Sequence, residues 1–325
     1  MDSSEWKGNH VAIVGAGHVG STFAYALAQS GLADDIALMD HNRNLADAQV
    51  LDLVHGMPYL PTINIHAGNA EDYRHARVIV VTAGVKQQPG ESRLNLLKRN
   101  IAIMEGVVEE ITASGSKAVL VVVSNPVDIL TYAALKKSRW PRGRVMGSGT
   151  VLDNARFRYL LSRHCGIDVH NIHAYVLGEH GDSEFPAWSM SHIAGMPIDR
   201  YCSICGKCTD WRAECIEIAN QVKNSAYHII DYKGSTYYAI GLALVQIVSA
   251  ILKDQHRVLT VSALLDGEYG MKDVCLGIPC IVSRQGVEQI IEGNLTSEEQ
   301  QLLKRSAEIL KTTLKGIDTG KTLQG

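Results

Sequence analysis

The sequence predicts an α/β fold: an N-terminal doubly wound parallel sheet over residues 8–150, followed by an α+β domain over 151–325. Three observations predict it. Short apolar runs alternate with helical patterns through the first half, giving six strands. The first run leads straight into Gly15–Ala16–Gly17–His18–Val19–Gly20 and a helical pattern. After Arg156 the alternation stops, and long helical patterns share the chain with paired strands.

The first strand is His10–Val14, and the helix behind it runs through Phe23, Ala24, Leu27 and Ala28 to stop at Gly31. Gly15 permits the tight turn, Gly17 lets a pyrophosphate reach the backbone, and Gly20 lets helix and strand pack closely. Amides at the helix start then face the phosphates along the favourable end of the dipole. This is the Rossmann dinucleotide fingerprint in its strand–turn–helix context. The second strand, 36–39, ends at Asp40, an acid placed to accept from ribose hydroxyls and to repel the extra phosphate of NADP. NAD is therefore the expected cofactor, and 8–150 the expected NAD-binding domain.

A helix over about 44–55 leads to strands 63–66 and 78–81. Residues 82–93 carry two glycines and a proline among polar residues, which reads either as a mobile loop ending in the cation Arg93 or as a charged surface loop. Helix 94–114 follows, then the fully apolar strand 118–123, as expected for a strand covered on both faces. It ends at Ser124–Asn125–Pro126, where Asn125 would project from the carboxyl end of the sheet. Val145–Met146 with Gly147–Ser148–Gly149 is the sixth strand and its turn. The second half reads as helix 154–164, short strands, helices 209–230 and 236–252, an antiparallel region over 258–265 and 278–282, and helix 297–314. With no repeat and no linker, the halves are expected to pack tightly.

Composition narrows the function classes. Of 325 residues, 46% are apolar and 20% charged, ordinary for a soluble globular protein. A net charge of −3 calls for neither nucleic acid nor an anionic membrane as partner. No apolar run reaches membrane-spanning length, and Met1–Asp2–Ser3–Ser4–Glu5 does not read as a secretory leader, so the cytoplasm is expected. Seven cysteines, an odd count, suit a reducing compartment. Cys202, Cys205 and Cys208 have metal-ligand spacing, and with Cys215 could hold zinc or an iron–sulfur cluster. The gap before Cys215 favours free thiols instead, and no metal is expected.

Two segments carry the chemistry. In Tyr175–Val176–Leu177–Gly178–Glu179–His180–Gly181–Asp182–Ser183–Glu184, a short buried strand runs into a glycine-flanked histidine. Histidine both gives and takes a proton near neutrality. A solvated surface turn is the plain alternative for an isolated Gly-Glu-His-Gly. Val151–Leu152–Asp153–Asn154–Ala155–Arg156 tips the balance, offering a carboxylate to orient the imidazole and an arginine to hold an anion.

These segments, in this order, resemble the lactate/malate dehydrogenase family, over roughly residues 10–315, and within it the bacterial-type L-lactate dehydrogenases. The resemblance implies reversible reduction of pyruvate to (S)-lactate at the fermentative end of glycolysis. It makes His180 the proton donor and acceptor, Asp153 its carboxylate partner, and Arg156 the fork on the substrate carboxylate. Arg93 matches the loop arginine, Asn125 the strand-end asparagine and Thr236 the substrate-pocket threonine. Gln87 matches the loop position that faces the substrate's third carbon. Malate dehydrogenases carry Arg there, so a neutral Gln implies pyruvate over oxaloacetate. The implied cofactor set is Gly15, Gly17, Val19, Gly20, Asp40, Gly84, Val85, Val123, Asn125, Ser148 and Ile240. Arg158 and His173 match a pair that lines a fructose 1,6-bisphosphate activator site between subunits, and a homo-oligomer, tetramer or dimer, is implied. Malate dehydrogenase, a branched 2-hydroxy acid dehydrogenase and a non-catalytic NAD-binding protein are the rival readings. His18 in the glycine turn and the cysteine cluster depart from the family pattern.

Overall fold

The computed structural model describes residues 8–88, 90–208 and 210–318. The chain start at 1–5, Pro89 of the loop, the Thr209 bound of an expected helix and residues 319–325 of the expected second domain lie outside these.

The first half alternates as expected: β1 (His10–Val14), α1 (His18–Ser30), β2 (Asp35–Met39), α2 (Arg43–His55), β3 (Asn64–Ala67), α3 (Asp72–His75), β4 (Val78–Val81), α4 (Arg93–Ala113), β5 (Val119–Val122), α5 (Val127–Ser138) and β6 (Val145–Gly147). These six strands pair in parallel in the order β3-β2-β1-β4-β5-β6. The order reverses between β1 and β4, which opens a crevice at the carboxyl ends of the strands. Apolar side chains cover both faces: Phe23, Leu27 and Ile36 lie on one, Met104, Ile111 and Leu120 on the other. That is why β1, β4 and β5 are apolar at almost every position. Helix α5 is absent from the sequence reading, because it is buried over most of its length and shows little amphipathic alternation. Ser92 caps α4 by accepting the Asn95 N–H at 3.2 Å, so Arg93 is the first helical residue rather than the last of the loop.

The second half continues with α6 (Val151–Cys165), the short strands β7 (Ile172–His173), β8 (Val176–Leu177), β9 (Phe185–Pro186), β10 (His192–Ile193) and β11 (Met196–Pro197), and α7 (Ile198–Cys205). Next come α8 (Trp211–Lys233), α9 (Tyr238–Leu252), β12 (Arg257–Asp266), β13 (Lys272–Ser283), β14 (Gly286–Ile290) and α10 (Ser297–Asp318). Asp210 caps α8, accepting from the Arg212 and Ala213 amides at 3.0 and 3.3 Å, and Gly234 ends it in the left-handed region. Helix α9 therefore starts after Thr236, not at it.

The antiparallel strands do not stand apart. β12 pairs with β6 at Ser262 and Gly147, so β12, β13 and β14 extend the parallel strands into one nine-stranded sheet. Gly147 is needed there, since a side chain would strike the Thr131 hydroxyl. Helix α9 lies against α1, and Leu244 and Ile251 share a core with Phe23 and Leu27. A separate core of Phe157, Leu161, Ile172, Ile198 and Val222 ties α6, α7 and α8 together.

Candidate active site

The expected cofactor residues gather on the carboxyl edge of the sheet. Gly15, Gly17, Val19 and Gly20 follow β1, Asp40 follows β2, and Gly84 and Val85 follow β4. Val123 and Asn125 follow β5, and Ser148 follows β6; Ile240 lies on α9, partly buried against the core that α1 shares. The glycines differ as the chemistry requires. Gly15 has a φ of 108°, where a Cβ would press on the Ala83 backbone. A Cβ on Gly20 would collide with the Gly15 carbonyl. A Cβ on Gly17 would meet nothing within 4 Å, so the space before α1 is open. Among the described residues no side chain caps α1, which leaves its first amides for an anion. Asp40 accepts the Ala16 N–H at 2.8 Å and the Asn42 N–H at 2.9 Å, which fixes its carboxylate beside the glycine turn. The donor set thus fits a dinucleotide. His18 turns toward the second half, its Nδ1 3.0 Å from the Ser235 hydroxyl.

The histidine segment is held from three sides. Gly178 forms a two-way backbone bridge with Gly277 of β13, at 3.0 and 2.8 Å. The backbone N–H of His180 donates to Asp128 of α5 at 2.8 Å, and Ser262 donates to the same carboxylate at 2.5 Å. Asn154 accepts the Val176 N–H at 2.6 Å and donates to the Thr260 hydroxyl at 2.7 Å, locking α6 between β8 and β12.

Asp153 and Arg156 stand one helical turn apart on α6 and share a face. Asp153 is fully buried. Its Oδ2 lies 2.7 Å from His180 Nδ1, and its Oδ1 accepts from Arg156 at 2.7 Å. Glu184, also buried, brings a carboxylate oxygen to 3.9 Å from His180 Nδ1. Burial opposes the imidazolium, but the Asp153 carboxylate outweighs it and lifts His180 to about 9. Burial, then the Asp153 charge, pushes Glu184 up to about 8. Burial opposes ionisation of Asp153 too, yet His180 and Arg156 hold it below the usual carboxylate range. One Arg156 donor meets Asp153; other guanidinium donors remain, and Arg156 lines a cavity of about 320 Å³ with Leu152 and Thr236.

Arg93 is exposed and borders a larger cleft of about 1080 Å³ together with Glu184 and Lys223. Gln87 is exposed and donates to the Glu91 carbonyl at 2.7 Å, so it folds back on its own loop. Among the described residues no hydrogen bond joins Arg93 or Gln87 to His180, Arg156 or Thr236. The loop is tied at its base by buried Asn100, which accepts the Val85 N–H at 2.9 Å and donates to the Asn125 carbonyl at 3.4 Å. Asp128 and Asn100 are structural partners absent from the sequence reading, and Asn154 and Glu184 stand in its two segments without a role. The one local signal was an acid at the fourth position of Asn125–Pro126–Val127–Asp128, in the first turn of a helix. Arg158 donates to the Val169 carbonyl at 2.9 Å, its Nε buried without an acceptor among the described residues, and His173 is exposed on β7.

Residues 9–147 match the family described as lactate/malate dehydrogenase, NAD binding domain, and residues 150–320 its alpha/beta C-terminal domain. The L-lactate dehydrogenase of Treponema denticola is 60% identical over 312 residues, covering 96% of this chain and 98% of that protein. That of Thermoanaerobacter pseudethanolicus is 48% identical over 312 residues, covering 95% and 99%. The crystal structure of the minor L-lactate dehydrogenase from Enterococcus mundtii, in its ligands-bound form, superposes with a TM-score of 0.92 at 41% identity, covering 97% of this chain and 99% of that one.

Proposed function

The chain belongs to the lactate/malate dehydrogenase family, and from that premise we propose that it is an NAD-dependent L-lactate dehydrogenase interconverting pyruvate and (S)-lactate. The observation that carries this reading is the buried Asp153 carboxylate, 2.7 Å from His180 on one oxygen and 2.7 Å from Arg156 on the other. The glycine turn, Asp40 and the strand-end residues from Gly84 to Ser148 would hold the nicotinamide cofactor, which would accept the hydride as NAD in oxidation and donate it as NADH in reduction. His180, kept protonated by Asp153, gives its proton to the carbonyl oxygen in reduction and takes it back in oxidation. Asp153 accepts from Nδ1 and so leaves Nε2 to face the substrate. Arg156 orients the substrate carboxylate with its remaining donors, and Thr236 closes the same cavity. Arg93 joins when the loop folds inward, polarising the carbonyl as water is excluded. Residues 8–150 serve as the NAD-binding domain and 151–325 as the substrate domain.

Pyruvate is favoured over oxaloacetate because Gln87 brings no charge to neutralise a second carboxylate. Steady-state rates with NADH and pyruvate, oxaloacetate or a branched 2-oxo acid test the reading. A higher kcat/KM for either competitor overturns it, as does NADH binding without turnover. Seven thiols, all free where described, support a cytoplasmic enzyme serving glycolytic fermentation.

The Arg158 Nε, without an acceptor among the described residues, and the exposed His173 support fructose 1,6-bisphosphate as an activator bound between subunits. Unchanged pyruvate half-saturation at saturating bisphosphate removes it. Exposed Tyr232, Tyr238 and Leu242 on α8 and α9 support a homotetramer or dimer, measurable by light scattering after gel filtration.

A further inference from the structure

At the far end of α6 from Asp153, His164 meets α7 at Cys202 and the first turn of α8 at Glu214. Its Nε2 lies 3.7 Å from the Cys202 sulfur. The ligand atoms of His164, Cys202 and Cys208 all lie within 4.8 Å of one another. Cys202 and Cys205 stand one turn apart on α7, and Gly206, with a φ of 68°, reverses the chain so that Cys208 returns beneath them. The Cys205 thiol reaches the Cys202 carbonyl at 3.3 Å, on the side of α7 that faces this group. Nothing in the proposed reaction uses these four side chains.

We propose that His164, Cys202, Cys205 and Cys208 form a structural zinc site that staples the end of α6 to α7 and the start of α8. Around a tetrahedral zinc, sulfur–nitrogen edges are about 3.5 Å and sulfur–sulfur edges about 3.8 Å; the His164–Cys202 edge is already 3.7 Å, Cys208 needs only a small approach, and Cys205, outside this group of three, completes the set by turning its side chain inward. Two features of the surroundings suit a cation held by thiolates. The other imidazole nitrogen of His164, Nδ1, lies 3.6 Å from the Glu214 carboxylate, the outer partner that a ligating histidine ordinarily has. Three thiolates, one imidazole and a divalent ion carry one negative charge, and the Lys207 ammonium lies against the backbone of Gly166 at the same helix end. The sequence alone offered Cys215 as the fourth ligand; the fold supplies His164, 38 residues upstream of Cys202, in its place.

The test uses the full chain, purified under reducing conditions with zinc supplied. Elemental analysis should find about one zinc per chain after gel filtration. Cobalt added to metal-free protein should give the thiolate charge-transfer band and the intense visible bands of a tetrahedral site. Both signals should disappear in C202S/C208S, weaken in H164Q and persist in the control C275S. Chelation should lower the melting temperature of the wild type. NADH binding, which uses none of these side chains, reports that each variant has folded. Zinc below about a tenth of an equivalent, iron with a sulfide chromophore, a disulfide among these cysteines in the reduced preparation, or an unchanged cobalt spectrum in C202S/C208S overturns the proposal.

Discussion

Asp128 accepts the backbone N–H of His180 at 2.8 Å, so the first turn of α5 sets the height of the histidine above the sheet. The carboxylate is fully buried, and burial pushes it up to about 6 although Ser262 and the His180 amide favour its ionised form. D128A leaves two donors unmatched and should cost about 1–3 kcal/mol of stability, read from urea midpoints. D128N keeps an acceptor but removes a negative charge facing His180, and should move the kcat/KM midpoint to lower pH. A midpoint identical to wild type would confine Asp128 to packing.

His180 is the proposed proton carrier. H180N should retain NADH binding and lose roughly a hundredfold to ten-thousandfold in turnover. Near wild-type kcat in this variant would sink the assignment.

The pH dependence has a definite sign. His180 titrates at about 9, and reduction needs its protonated form. Pyruvate reduction should therefore hold below that value and fall as pH rises through about 9, while lactate oxidation rises over the same interval. D153N removes the charge that outweighs burial, so both transitions should move to lower pH. The pH profiles of kcat/KM for D153N and wild type, measured in both directions, decide this; coincident midpoints refute it.

The proposed preference for pyruvate rests on Gln87. Q87R should shift the ratio of specificity constants toward oxaloacetate, whose second carboxylate costs several kcal/mol or so to bury unpaired. An unchanged ratio would remove Gln87 from the account and turn attention to Thr236 and Ile240.

A second cluster predicts how stability varies with pH. His66 contacts Asp35 and Asp72 between β2, β3 and α3, and those hydrogen-bonded carboxylates lift it to about 10. A raised histidine stabilises fully below its unfolded value of about 6.5, and that contribution is lost as pH climbs toward 10. Asp35 is opposed by burial, yet His10 and His66 hold it well below the carboxylate range, so its contribution is lost only in acid. H66Q should flatten the decline in melting temperature between pH 6.5 and 10. Parallel curves for H66Q and wild type would count against the cluster.

How much of this was legible beforehand depended on how far apart the partners lie. The glycine turn and Asp40 could be read because β1, its turn, α1 and β2 are consecutive and their spacing is set by local geometry. Asp153 and Arg156 were readable as neighbours on one helical face. The supports of His180 were not: Asp128 meets Ser262 134 residues away, and Asn154 meets Thr260 106 residues away. Those contacts exist only because β12 pairs with β6, a register that no local pattern announces. Helix α5 gives no comparable signal, because a helix buried over most of its length shows little contrast between its faces.

The continuous sheet has a consequence for how such a protein can change. Gly277, Thr260 and Ser262, which fix the histidine segment and α6, belong to strands hydrogen-bonded in the same plane as those that end at Gly15, Asp40 and Ser148. The frame that sets the distance from nucleotide to proton carrier is thus a single rigid ruler. The loop between β4 and α4 hangs from that ruler at Asn100 and adds no strand to it. New side chains can be tried in the loop while the calibration of the chemistry stays where the sheet has set it.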